Sequence, residues 1–246
     1  MGKITRLLGR IFFAIALVAS GIQQLLIADF VRLVPKLPAG IPWHPFWACL
    51  VGVILIVAGW AIILQKSARW AATVLGAMFL LTFLLQRVPE IASNPSAGFM
   101  WTNPCKVLAL LGGVLILADR MPLLGPVFLG VFLLVCGGQH FVYAGFVDTL
   151  VPGWMPPGPR FWTYFTGTAL AAGGVGILLP KTRRWAALMS GLMIFLWVLL
   201  LHIPRALADP HNAGETSAIF EALALTGVCL LVAGTRAKAG SSPARP

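Results

Sequence analysis

The sequence predicts an all-α membrane protein of eight transmembrane helices, built from two parallel four-helix repeats. Three observations predict it. The 246 residues are 59% hydrophobic and only 10% charged, with a mean hydropathy of +0.91, whereas soluble domains carry about 25% charged residues. The apolar residues gather into eight stretches, each near the roughly 17 to 25 residues that cross about 30 Å of hydrocarbon. And the chain is written twice: Ile11 to Ala118 reappears as Val127 to Ala233, at an offset of roughly 115 positions.

The repeat rests on residue types that rarely coincide by chance. Gly21 falls on Gly137, Gln23 on Gln139, and Phe46-Trp47 on Phe161-Trp162. Gly52 and Gly59 fall on Gly167 and Gly174, Arg69-Trp70-Ala71-Ala72 on Arg184-Trp185-Ala186-Ala187, Pro89 on Pro204 and Pro95 on Pro210. The expected organisation is therefore one unit over residues 1–120, a second over 121–235, and a basic tail over 236–246 that is expected to be disordered at an anionic lipid surface.

The spans are expected near 8–28, 46–64, 69–88 and 102–118, then 123–144, 161–179, 185–203 and 217–234. The first resembles a secretory leader, with Lys3, Arg6 and Arg10 ahead of an apolar run and Val18-Ala19-Ser20 as a cleavage-like site. Its counterpart at 123–144 is internal, however, so the first span is expected to be retained. Phe30 to Pro35 and Phe146 to Pro152 follow the first span of each unit. They are too apolar for solvated loops and too rich in proline for spans, so each is expected to lie in the interface or partly re-enter the bilayer. Gly52, Gly59, Gly167, Gly174, Gly112-Gly113 and Gly137-Gly138 are expected to let helices approach closely.

Orientation follows from the basic residues. A cytoplasmic N-terminus places twelve of the eighteen Lys and Arg inside, together with both termini, and leaves six outside: Arg32, Lys36, Arg87, Lys106, Arg160 and Arg205. It also places all four histidines and every acid except Asp119 on the outer half. An even number of spans per unit makes the two units face the same way, related by a two-fold axis along the membrane normal. The net charge of +11 is thus a topology signal, and no nucleic-acid motif accompanies it. The lipid bilayer is the first expected partner.

One polar constellation stands out. Gln139 and His140 end the fifth span, His202 and Arg205 end the seventh, and Glu215, Ser217 and Glu221 open the eighth. Intramembrane ionisable groups are costly and mark either a site or a satisfied pair. One reading is a ligand pocket with a quinone head group as the natural occupant, His140 and His202 exchanging protons while Arg205 and Glu221 set the field. The other is a helix-end network that satisfies backbone and head groups. A bis-histidine haem is disfavoured, because both histidines sit at ragged helix ends; no metal site is expected. Cys49, Cys105, Cys136 and Cys229 include no Cys-x-x-Cys, so thiol-disulfide chemistry is not expected, and any pairing of Cys49 with Cys105 is left open. Charge arithmetic adds a structural expectation: Arg87, Glu90 and Lys106 leave one cation in the first unit, while Arg205, Glu215 and Glu221 leave one anion in the second. Lys106 and Glu221 are expected to pair across the two-fold axis.

The run Gly137-Gly138-Gln139-His140-Phe141, with Leu150-Val151-Pro152, His202-Ile203-Pro204-Arg205 and Glu215-Thr216-Ser217, resembles the four-helix DoxX family of bacterial membrane proteins. The first unit departs from it, carrying Gln24 in place of the histidine and Gln86-Arg87-Val88-Pro89-Glu90 in place of the His-x-Pro-Arg run. The resemblance implies a tandem DoxX fusion whose better-kept site is in the second unit. It also implies an oxidoreductase-associated role, as a subunit or accessory of a quinone-linked redox system with a soluble or membrane redox partner. A small-solute carrier or channel, and a scaffolding subunit without its own chemistry, are the alternatives.

Overall fold

The computed structural model describes residues 2–33, 40–121 and 123–235. The basic tail and Lys36 lie outside the described residues. Every regular element among the described residues is helical. The chain runs through α1 (Gly2–Ile27), α2 (His44–Leu64) and α3 (Ala68–Thr82). A π-helical turn (Phe83–Arg87) joins α3 to α4 (Val88–Ser93), and a 3-10 turn (Gly98–Trp101) leads into α5 (Thr102–Leu117). It continues through α6 (Leu124–Val142), α7 (Ala144–Asp148), α8 (Pro159–Leu178) and α9 (Arg183–Trp197). A second π turn (Val198–His202) joins α9 to α10 (Ile203–Ala208), and α11 (Ala213–Ala233) is last.

Seven helices among the described residues are long and apolar enough to cross a membrane. The stretch expected at 161–179 forms α8, 20 residues long, which falls outside that set because Thr163, Thr166, Thr168 and its four glycines dilute its apolar character. The other stretches begin and end within a few residues of expectation, except that the first begins at Gly2, a turn and a half early, and the third and seventh continue as single rods to Ser93 and Ala208. The reason is local. Pro89 and Pro204 lack an N–H and crowd the carbonyl four residues back. That carbonyl belongs to Leu85 or Leu200, inside a π turn, whose wider winding accommodates the defect without stopping the helix.

Packing runs as a closed circuit, α1 on α2, α2 on α3, α3 on α5, α5 on α6, α6 on α8, α8 on α9, α9 on α11, and α11 back on α1, with α5 also touching α11 at the centre. The last long helix of each half thus packs chiefly on the first helix of the other half. Glycines permit these approaches. A Cβ on Gly227 of α11 would lie 2.7 Å from Phe13 N of α1, and one on Gly112 of α5 would lie 2.9 Å from Gly125 Cα of α6. Gly21 meets Gly52, and Gly137 meets Gly167, at α1–α2 and α6–α8. Gly138 faces open space and corrects the expectation for that residue. Phe13, Leu17, Leu110, Val114, Ala224, Val228 and Leu231 fill the centre. Lipid-facing Leu, Val and Trp side chains cover the outside of the ring, as they must in hydrocarbon.

Candidate functional site

Polar side chains collect at the end of the bundle away from the termini. Gln23 on α1 donates through Nε2 to Ala213 O at 2.8 Å and accepts from Ser217 Oγ at 3.0 Å. Gln139 on α6 donates through Nε2 to Gly98 O at 2.7 Å and accepts from Thr102 Oγ1 at 2.6 Å. Each amide clasps the first helix of one half to the opening turn of the last long helix of the other. Buried polar groups in an apolar setting are affordable only when bonded, and here Gln139 and Ser217 hold protein groups.

The ionised residues form a second set. Arg205 on α10 reaches Glu215 on α11 with two hydrogen bonds, Nε to Oε2 at 3.0 Å and Nη2 to Oε1 at 2.7 Å, the fork geometry that makes arginine–carboxylate pairs strong. Lys106 Nζ on α5 lies 2.9 Å from Glu221 Oε2 on α11, with side chains 15% and 9% exposed. Arg87 pairs with Glu90 one turn away. The second oxygen of Glu221 is buried and takes no hydrogen bond among the described residues. His202 stands within electrostatic reach of Arg205, Glu215, Glu221 and Arg32. Arg32 closes the cluster from the loop after α1, its guanidinium folded against the position a Gly214 side chain would occupy.

Beside the Lys106–Glu221 pair opens a cleft of about 660 Å³, lined by Phe30, Val31, Arg32, Gln86, Arg87, Asn103 and Lys106. All seven belong to the first half, and none of the second-half residues that the sequence singles out lines the cavity. Phe30, Val31 and Leu33 are buried, whereas Phe146 on α7, in the corresponding connection, is exposed. Sequence reasoning missed Arg32 and Asn103. A signal was available, because sign inverts at matched positions: Arg32 against Asp148, Glu90 against Arg205, Lys106 against Glu221. Asp148 answers Arg160 at 2.8 Å and accepts from Thr163 Oγ1 at 2.7 Å.

His140 stands apart. Its Nδ1 is 2.7 Å from Cys136 O, its ring stacks on Trp197 with centroids 6.4 Å apart, and its Cβ sits against Gly167. No hydrogen bond, ion pair or ring contact among the described residues joins it to the other six. The structure thus brings together His202, Arg205, Glu215 and Glu221, sets Ser217 beside them in a clasp, and leaves Gln139 and His140 elsewhere. All four cysteines are free. Among the described residues no three His, Cys, Asp or Glu side chains are grouped to hold a metal ion.

Comparison with known families divides the chain in two. The DoxX family model matches residues 5–87, and a domain of unknown function (DUF8561) matches residues 129–233. No curated protein and no solved structure matched the chain. The DoxX match falls on the half carrying Gln24 and Gln86-Arg87-Val88-Pro89-Glu90, and not on the half whose histidine motif suggested the resemblance. This is a membrane protein with several apolar helices, and its residues 5–87 are similar to the DoxX family.

Proposed function

We propose that the chain is an eight-span tandem of two parallel DoxX-type units, 1–120 and 121–235, in a bacterial inner membrane with both termini cytoplasmic. It serves a quinone-linked redox system as a small subunit that holds the quinone head group. The duplication is supported by paired features at one offset: the two π turns before Pro89 and Pro204, the two glutamine clasps, and the matched glycine contacts. α8, at 20 residues, is long enough to span about 30 Å as the eighth helix.

The observation that carries the functional reading is the cleft beside Lys106 and Glu221. Its volume suits a small-molecule head group, its apolar wall is Phe30 and Val31, and its polar wall supplies donors from Arg32, Gln86, Arg87, Asn103 and Lys106. Quinone carbonyl oxygens only accept hydrogen bonds, so a donor-rich wall is complementary to them. A quinone that takes two electrons from a partner redox protein and two protons becomes the quinol. In this reading Lys106 on the cleft wall exchanges protons with its partner Glu221, and His202, within electrostatic reach of Glu221, extends the relay. The filled centre of the bundle favours this reading over a carrier.

The test is binding. The purified full chain should co-extract a quinone and bind a short-chain quinone saturably. Asn103→Leu and Lys106→Met should each weaken binding about ten-fold, from the loss of one hydrogen bond to the head group. Lys66→Met, on a distant loop, should leave it unchanged. A protein that retains no quinone and shows no saturable binding would overturn the proposal in favour of a scaffolding role. The topology has its own test: in a background without native cysteines, Lys66→Cys should resist an impermeant thiol reagent applied to intact cells, while His211→Cys is labelled. The reverse pattern would invert the orientation.

A further inference from the structure

The terminal end of the bundle carries two clefts that share the start of α1, have matched residues of the two halves on their other walls, and differ in charge. One lies between the start of α1, the start of α3 and the end of α5, lined by Lys3, Arg6, Arg10, Arg69, Trp70 and Asp119 among others. The second, of about 1160 Å³, lies between the start of α1, the start of α9 and the end of α11, and its cations are Lys3, Arg6, Arg183 and Arg184. In the first cleft Asp119 answers two of the four cations, Arg6 at 2.7 Å and Arg69 at 3.6 Å. In the second the matching position is Gly234, and no acid lines the cleft. Nor can one stand there: a Cβ on Gly234 would meet Arg6 Cβ at 2.9 Å and Arg6 N at 3.0 Å. Lys3, Arg183 and Arg184 have no carboxylate partner among the described residues, and the sequence after Thr235 contains no acidic side chain.

Three cations without a carboxylate partner, beside an Arg6 already held by Asp119, call for an anion from outside. We propose that this second cleft is a binding site for an anionic phospholipid, whose phosphate is held by Arg184, Lys3 and Arg183. The surroundings select a lipid over a soluble phosphate. Ile4 lines the cleft and is exposed, and Leu8, one turn further on α1, and Trp185, next to Arg184 on α9, are exposed as well, giving acyl chains an apolar bed and marking the depth of the interface. Basic recesses between transmembrane helices are where anionic head groups bind. The site is independent of the cleft at the far end and of any quinone.

Native mass spectrometry of the full chain, titrated with phosphatidylglycerol or with phosphatidylcholine, tests the proposal. Phosphatidylglycerol should bind at least ten-fold more tightly. A charge near a membrane surface is worth about 1 kcal/mol, or about five-fold, so Lys3→Gln with Arg184→Gln should weaken phosphatidylglycerol binding by more than ten-fold. Arg184→Lys alone should keep most of it. Arg69→Gln, in the other cleft and already facing Asp119, should have little effect. Equal affinity for the two lipids, or equal loss from Arg69→Gln, would overturn the proposal. So would inorganic phosphate displacing the lipid at comparable concentration, which would make the ligand a soluble anion.

Discussion

Reversing Lys106 to glutamate, or Glu221 to lysine, is expected to destabilise the protein by on the order of 3 kcal/mol, because each leaves two like charges facing each other with little water to screen them. The pair is 2.9 Å apart and nearly buried. Arg87 and Arg205 are already engaged, by Glu90 and Glu215. Installing both reversals together should recover most of the loss. Unfolding of the four proteins in mixed micelles gives the coupling energy directly. If the double variant is no more stable than the sum of the singles, each charge is satisfied within its own half, and the network shifts to Glu90 and Arg205.

The second large effect is expected at Gly227. Replacing it with valine sets a Cβ 2.7 Å from Phe13 N and 2.8 Å from Gly9 O, both backbone atoms of α1 that cannot rotate away. Overpacking typically costs about 1–3 kcal/mol, and a clash with backbone should reach the upper end of that range. α1 and α11 must then separate, which also loosens the Gln23 clasp on Ala213 and Ser217. Gly138→Ala, with nothing within 4 Å, should be neutral or slightly stabilising through the better helix propensity of alanine. Thermal unfolding of the two variants separates the cases; equal loss from both would mean that the α1–α11 contact is not held by close backbone approach.

Much of the helical layout was legible because its signals are local. Hydrophobic length marks a helix that can lie in lipid whatever it packs against, so seven stretches could be placed to within a few residues. α8 was placed by the same reasoning, yet its threonines and glycines leave it outside the set that length and apolarity alone identify. The polar constellation was harder. Gln139, Ser217 and His202 all stand at helix ends near one depth, and depth alone cannot separate them. Gln139 is bonded to Gly98 and Thr102, Ser217 to Gln23, and His202 faces a charged cluster. Arg32 and Asn103 carried no motif, and became visible only as walls of a cleft.

By itself the sequence determined a helical membrane protein, its apolar spans, its small-residue contact faces and a surplus of opposite sign in two matched sets, Arg87, Glu90 and Lys106 against Arg205, Glu215 and Glu221. Lys106 and Glu221 followed from that surplus as candidate partners, and in the structure the two side chains meet. Only the tertiary structure decided that α5 packs on α6 and α11 on α1, that the donor-rich cleft opens in the first half, and that a cationic cleft at the opposite end has no acid to balance it. The physical reason is range. Span length and composition are properties of one segment in lipid, whereas the choice of neighbour depends on glycine faces and amide donors far apart in the chain, whose energies count only once the helices are side by side.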